Sequence, residues 1–120
     1  MKKSGQKKNQ TRENTRTQVW ADTSAIVKVA DPYSQSREVL TIRGRVADLG
    51  GTGMFLVTGD PVPVPAEAEV LIEFDPARPS ALRVQARGQT VRTAKDGVGI
   101  RFTEIDLNRL QQCILARMNR

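Results

Sequence analysis

The 120-residue chain carries a net charge of +6, with 38% hydrophobic residues, one cysteine and no histidine. Lacking histidine, it lacks the usual general base and the usual transition-metal ligand, so enzymatic activity is not expected. A single cysteine excludes an internal disulfide and a cysteine-cluster metal site and fits a reducing cytoplasm; the apolar runs are too short to span a membrane, and Met1-Lys2-Lys3 opens no apolar stretch of the kind a secretory signal needs.

The length suits one domain, which at this size buries roughly two-thirds of its unfolded surface and needs no staples. Charge is concentrated at the start, where Lys2, Lys3, Lys7, Lys8, Arg12 and Arg16 stand against Glu13. Residues 1–11 hold no apolar side chain after Met1 and read as a mobile basic arm. The domain is expected over residues 12–120.

From Val19 the pattern has a period of two. Val19, Ala21, Thr23, Ala25, Val27 and Val29 share one face, which predicts a long half-buried strand. Trp20 and Ile26 fall on its outer face and want a cover such as a helix. A turn follows at residues 31–36. Leu40, Ile42, Gly44 and Val46 then mark a second strand that ends at Asp48. Met54 to Thr58 is a short third strand, and Pro61, Pro63 and Pro65 keep the next segment out of any ladder. Val70, Ile72 and Phe74 mark a fourth strand; Leu82, Val84 and Ala86 mark a fifth. The alternation slips near Gly88 and Val91 continues out of phase, which predicts a bulge or bend. Lys95-Asp96-Gly97 reads as a hairpin turn into a sixth strand with Val98, Ile100 and Phe102. Finally Leu107, Leu110, Ile114, Leu115 and Met118 recur at helical spacing behind Asp106, a fair N-cap. The expected fold is all-β with one C-terminal helix: a six-stranded antiparallel β-barrel with the helix packed outside.

The most informative stretch is Asp48-Leu49-Gly50-Gly51-Thr52-Gly53, where an alternating strand breaks at an acid and three glycines. Glycine admits positive φ and close approach to the backbone; Asp48 is a turn-former or an acceptor facing a ligand. A tight turn alone would account for it. Arg12-Glu13-Asn14-Thr15-Arg16 stands just before the first strand. Arg83 and Arg87 repeat that arginine spacing, but they read as the solvated face of a strand.

In this order of features the chain resembles the PilZ family, bacterial receptors for cyclic di-GMP. That family carries Arg-x-x-x-Arg, then a strand, then Asp/Asn-x-Ser-x-x-Gly at the end of the next strand; Gly99-Ile100-Arg101-Phe102 before a helix is similar to its last strand. The resemblance covers roughly residues 12–118. It implies that Arg12 and Arg16 clasp the ligand, that Asp48 reads guanine and that Gly53 makes the turn, with Gly50 and Gly51 opening the backbone. The chemistry agrees. A guanidinium forks onto phosphate or the guanine acceptor edge, or stacks on the base. A carboxylate accepts from the guanine N–H edge.

One departure stands out. The family's serine is Gly50 here, and the lost hydroxyl is worth about 0.5–1.5 kcal/mol, roughly tenfold in affinity; Thr52 is the nearby hydroxyl that could replace it. The expectation is a cytoplasmic receptor with no cofactor and no metal, whose arm orders on the nucleotide and which signals to a protein partner. A PilZ-like adaptor acting through protein contacts without nucleotide is the alternative. A small nucleic-acid-binding barrel is the third reading, although 4% aromatic residues are few for a stacking platform on single strands. Cys113 is expected to be a small packing residue.

Overall fold

The computed structural model describes residues 19–35, 38–77 and 82–119. The basic arm, with Arg12 and Arg16, lies outside the described residues. Strands β1 (Ser24–Ala30), β2 (Val39–Leu49), β3 (Gly53–Val57), β4 (Ala66–Glu73), β5 (Arg83–Ala94) and β6 (Gly97–Ile105) precede one helix, α1 (Leu107–Met118). The strands close a barrel in the order β1-β2-β3-β6-β5-β4, every pair antiparallel. This is the six-stranded barrel with a C-terminal helix that the alternation predicted. Among the described strands, closure leaves no unpaired sheet edge.

The inward residues form one core. Val27, Val29, Val46, Leu56, Ile72 and Val84 are among its fully buried members, with Phe74, just past the end of β4, equally buried. The fifth strand bulges where expected, with register shifts between Arg87 and Gly88 and between Thr90 and Arg92.

Two expectations are corrected. The first strand begins at Ser24, not Val19. The Trp20 N–H donates to Thr23 Oγ1 at 3.2 Å and the Thr23 N–H donates to the Trp20 carbonyl at 3.0 Å, so a turn takes the place of the first strand residues. That turn folds Trp20 edge-on against Phe74, with ring centroids 6.4 Å apart. The helix also buries a narrower stripe than its apolar spacing implied: Leu110 and Cys113 are buried, while Leu107, Leu115 and Met118 are exposed. Asp106 does cap it, accepting from the Arg109 N–H at 3.0 Å.

At the other end of the helix, Arg117 reaches down to the barrel. Its guanidinium lies 5.2 Å from the Trp20 ring centroid, donates to the Phe74 carbonyl, and pairs with Asp22 at 3.0 Å and with buried Asp75 at 3.8 Å. Trp20 is therefore covered by the helix terminus, as an outward-facing tryptophan requires.

Cys113 packs as expected, wholly buried, its Sγ 3.8 Å from the Arg83 carbonyl. Burial pushes its thiol up from the usual 9.0, with Arg109 pulling the other way. Since the thiolate is the reactive form, alkylation of Cys113 at pH 8 should be at least ~100-fold slower in the folded protein than in denaturant. Equal rates would show that the helix does not cover it. Stability should also fall as the pH rises above 9.0, because the unfolded chain releases this proton first.

No helix among the described residues is long and apolar enough to cross a membrane.

Candidate functional site

Two bulges build the site. In β2 the alternation Ile42, Gly44, Val46 points inward, and Asp48 would be the next inward residue. Instead the register shifts between Val46 and Asp48, so that Val46 lies opposite Leu56 and Asp48 opposite Phe55. Ala47 is the extra residue. It turns Asp48 outward to a half-buried position and returns Leu49 to the core. Without the bulge a carboxylate would enter an apolar interior at a cost of several kcal/mol. The same device operates in β5. Val84, Ala86, Gly88 and Thr90 point inward, and the shift between Thr90 and Arg92 makes Val91 the extra residue and turns Arg92 outward, opposite Gly99.

The result is a row across four neighbouring strands on the outer face: Asp48 on β2, Phe55 on β3, Gly99 on β6 and Arg92 on β5. At the usual strand spacing that row runs about 14 Å. Gly97 and Gly99 face outward yet are buried, because neighbouring side chains lie over them. A Cβ on Gly97 would run into the Leu56 carbonyl oxygen and fall 2.8 Å from the Phe55 ring, and one on Gly99 would fall 3.3 Å from Arg92 Cγ. Arg92 leans across the bare position at Gly99 and sets its guanidinium 5.9 Å from the Phe55 ring centroid.

The glycine corner closes beside this row. The Gly50 N–H donates to the Gly53 carbonyl at 2.9 Å, and the Phe102 N–H donates to the Thr52 carbonyl at 2.8 Å. The first bond makes the turn and the second ties it to β6. No described glycine has positive φ, so the corner uses glycine for close approach, not for left-handed backbone. Asp48, Gly50, Thr52, Gly53, Phe55 and Arg92 line a shallow depression of about 200 Å³. Gly51 does not. It turns toward the helix, where its Cβ would meet Leu107 Cδ2 at 3.2 Å.

Of the residues singled out in the sequence, then, Asp48, Gly50 and Gly53 come together, Gly51 supports them from behind, and Arg12 and Arg16 lie outside the described residues. The root of the arm is nevertheless at this end of the barrel. Ser24 pairs with Arg45, and the Val46 N–H donates to the Thr23 carbonyl at 2.9 Å, two residues from Asp48. Phe55 and Arg92 were not anticipated. The signal available for them was Val91 out of phase, together with Gly97 and Gly99 alternating through an otherwise apolar strand.

A larger groove of about 940 Å³ crosses the outer faces of β1, β4 and β5, around Ile26 and Leu71, and contains none of the motif residues. Arg87 lies on that face in an open pair with Glu104 at 3.7 Å, both well exposed, in keeping with a solvated strand face.

A family model described as PilZ domain matches residues 10–116. The chain belongs to the PilZ domain family. PilZ domains are generally receptors for cyclic di-GMP, and binding or adaptor modules in place of enzymes. The PilZ match spans both the segment holding Arg12 and Arg16 and the Asp48 corner. A search of curated proteins gives no match. Among the described residues no group of His, Cys, Asp and Glu could hold a metal ion.

Proposed function

We propose that this PilZ domain is a cytoplasmic cyclic di-GMP receptor whose arm, through Arg12 and Arg16, closes over a nucleotide held at the Asp48 corner, and that the ordered arm presents a surface to a protein partner. The observation that carries this reading is the size and place of the depression. At about 200 Å³ it is smaller than the ~300–1,000 Å³ clefts that enclose small molecules. The barrel therefore supplies one wall, and a second must come from elsewhere. The arm is the available segment. Its root is tied to β2 two residues from Asp48, and beyond the turn that starts at Trp20 the four residues back to Arg16 span up to roughly 14 Å if extended.

The roles follow from the chemistry. Asp48 accepts from the guanine N–H edge. Arg12 and Arg16 fork onto phosphate oxygens or the guanine acceptor edge. Gly50 and Gly53 keep the backbone close, with Gly51 behind them against the helix. Binding costs the ordering of the arm, which moderates affinity and makes occupancy a conformational signal.

Calorimetry with cyclic di-GMP at moderate salt tests the reading. Saturable binding is expected, with Arg12→Ala and Arg16→Ala each weakening it about 10- to 100-fold, since each removes charge-assisted hydrogen bonds. The melting temperature of the empty protein should be unchanged. Parallel loss of stability and binding would argue against the clasp. Gly50, in place of the family's serine, favours one second reading, an adaptor that works through protein contacts without nucleotide. That reading predicts no heat with cyclic di-GMP. Salt-sensitive binding to random oligonucleotides would instead mark a nucleic-acid-binding barrel.

A further inference from the structure

We infer that Arg92, seated on Phe55, is the base-stacking platform of this site and sets how tightly a purine base is held there. The inference rests on the nucleotide-receptor reading above and names a residue outside its arginine and aspartate motifs.

Three independent features converge on Arg92. A bulge at Val91 reverses the phase of β5 at this point; unbroken alternation would send Arg92 into the core. Bulges placed beside binding sites commonly serve to re-aim one side chain. Next, β6 is bare where Arg92 crosses it. Gly99 lies opposite Arg92 on one side and opposite Phe55 on the other, and a Cβ there would crowd Arg92 Cγ at 3.3 Å. Third, the guanidinium is drawn over the Phe55 ring, 5.9 Å from its centroid, and lines the same depression as Asp48 and Gly50. A side chain serving only solubility would need none of these.

The arrangement suits a flat ligand. A guanidinium held over an aromatic ring presents its other face as a rigid, weakly hydrated plane, on which a purine stacks. Stacking is tolerant of base identity, because every base has a π-face. Asp48 lies three strands along the same row and is placed to read the edge of a base lying on that plane. The two residues thus divide the work: Arg92 supplies affinity for a purine and Asp48 the preference for guanine.

The test is calorimetry of the full chain with cyclic di-GMP, comparing the natural protein with Arg92→Ala, Arg92→Lys and Arg92→Tyr, with a thermal melt of each. Arg92→Ala should weaken binding roughly tenfold or more, the loss expected for one stacked base. Arg92→Lys should be as weak, because it keeps the charge and loses the plane. Arg92→Tyr should stay within about threefold of the natural protein, because it keeps a plane and loses the charge. Rescue by lysine and not by tyrosine would overturn the inference in favour of a simple phosphate contact. An affinity loss that follows a matching fall in melting temperature would reduce Arg92 to a structural pin and overturn it as well. Undiminished binding by all three variants would overturn it while leaving the receptor reading standing; absence of binding by the natural protein would remove both.

Discussion

Arg117→Ala should lower the melting temperature of the empty protein by about 12 °C or more. The Arg117 side chain is only 10% exposed and that of Asp75, its partner at 3.8 Å, is 0% exposed. Removing one member of such a buried pair costs about 3–5 kcal/mol, and each kcal/mol moves the midpoint of a domain near 100 residues by roughly 4–8 °C. The Ala77 N–H donates to Asp75 at 3.0 Å, which does not replace a cation. The same substitution uncovers the face of Trp20 and frees the Phe74 carbonyl. Lysine should recover only part of the loss, because one ammonium cannot serve a carbonyl, two carboxylates and a ring from a single position. A cycle with Asp75→Asn separates the contributions. If the pair matters, the double variant should be less damaged than the two single losses added together. A fall of less than about 3 °C for Arg117→Ala would show that the contact is incidental. The consequence reaches the proposed site, since Trp20 and Asp22 anchor the root of the arm to the helix terminus, and loosening them should weaken the clasp as well as the fold.

Much of this architecture was legible because a half-buried strand declares itself by alternation. Leu40 to Val46, Val70 to Ile72 and Val98 to Phe102 each read correctly from that period alone, although Phe74 lies just past its strand, and Asp106 announced the helix through its capping chemistry. The ends of elements were less legible, because they depend on hydrogen bonds that do not follow the period. The turn closed by Thr23 Oγ1 displaced the first strand by five residues although Val19, Ala21 and Thr23 alternate as well as any strand does. The helix deceived for a different reason. Leu107, Leu115 and Met118 lie at helical spacing, but the barrel contacts only the stripe through Leu110 and Cys113, and the wall a helix rests on is a tertiary fact. The site was half legible. Asp48 and its glycines stand out as residue types, whereas the direction in which Asp48 points depends on one extra residue at Ala47. Arg92 was hidden by the same effect: Val91 signalled a change of phase, but what the reversed residue would meet depended on β6, and so on a pairing settled only when the barrel closes.

The sharpest contrast lies between two glycines of one turn. Gly53→Ala should destabilise the protein by about 1–3 kcal/mol, the range of an overpacked interior, and should weaken cyclic di-GMP binding at least roughly tenfold, while Gly51→Ala should change both little. Neither glycine has positive φ, so the difference is one of space. At Gly53 a Cβ would sit 2.5 Å from the Ile100 carbonyl oxygen, a backbone atom fixed in the β3–β6 ladder where Gly53 faces Arg101 and Met54 faces Ile100. The strands must part to admit the methyl group, which strains the Phe102 bond to the Thr52 carbonyl and the Gly50 bond to the Gly53 carbonyl. Those two bonds hold the corner beside Asp48, and a shift there misaligns the acceptor with any base it reads. At Gly51 the nearest atom is Leu107 Cδ2 at 3.2 Å, the tip of a side chain that is 56% exposed and able to rotate away. Melting curves and calorimetry on the two variants decide the matter. A Gly53→Ala protein as stable and as competent as Gly51→Ala would mean that β3 and β6 can separate freely at the corner, and the carboxylate would then have no fixed frame from which to select guanine.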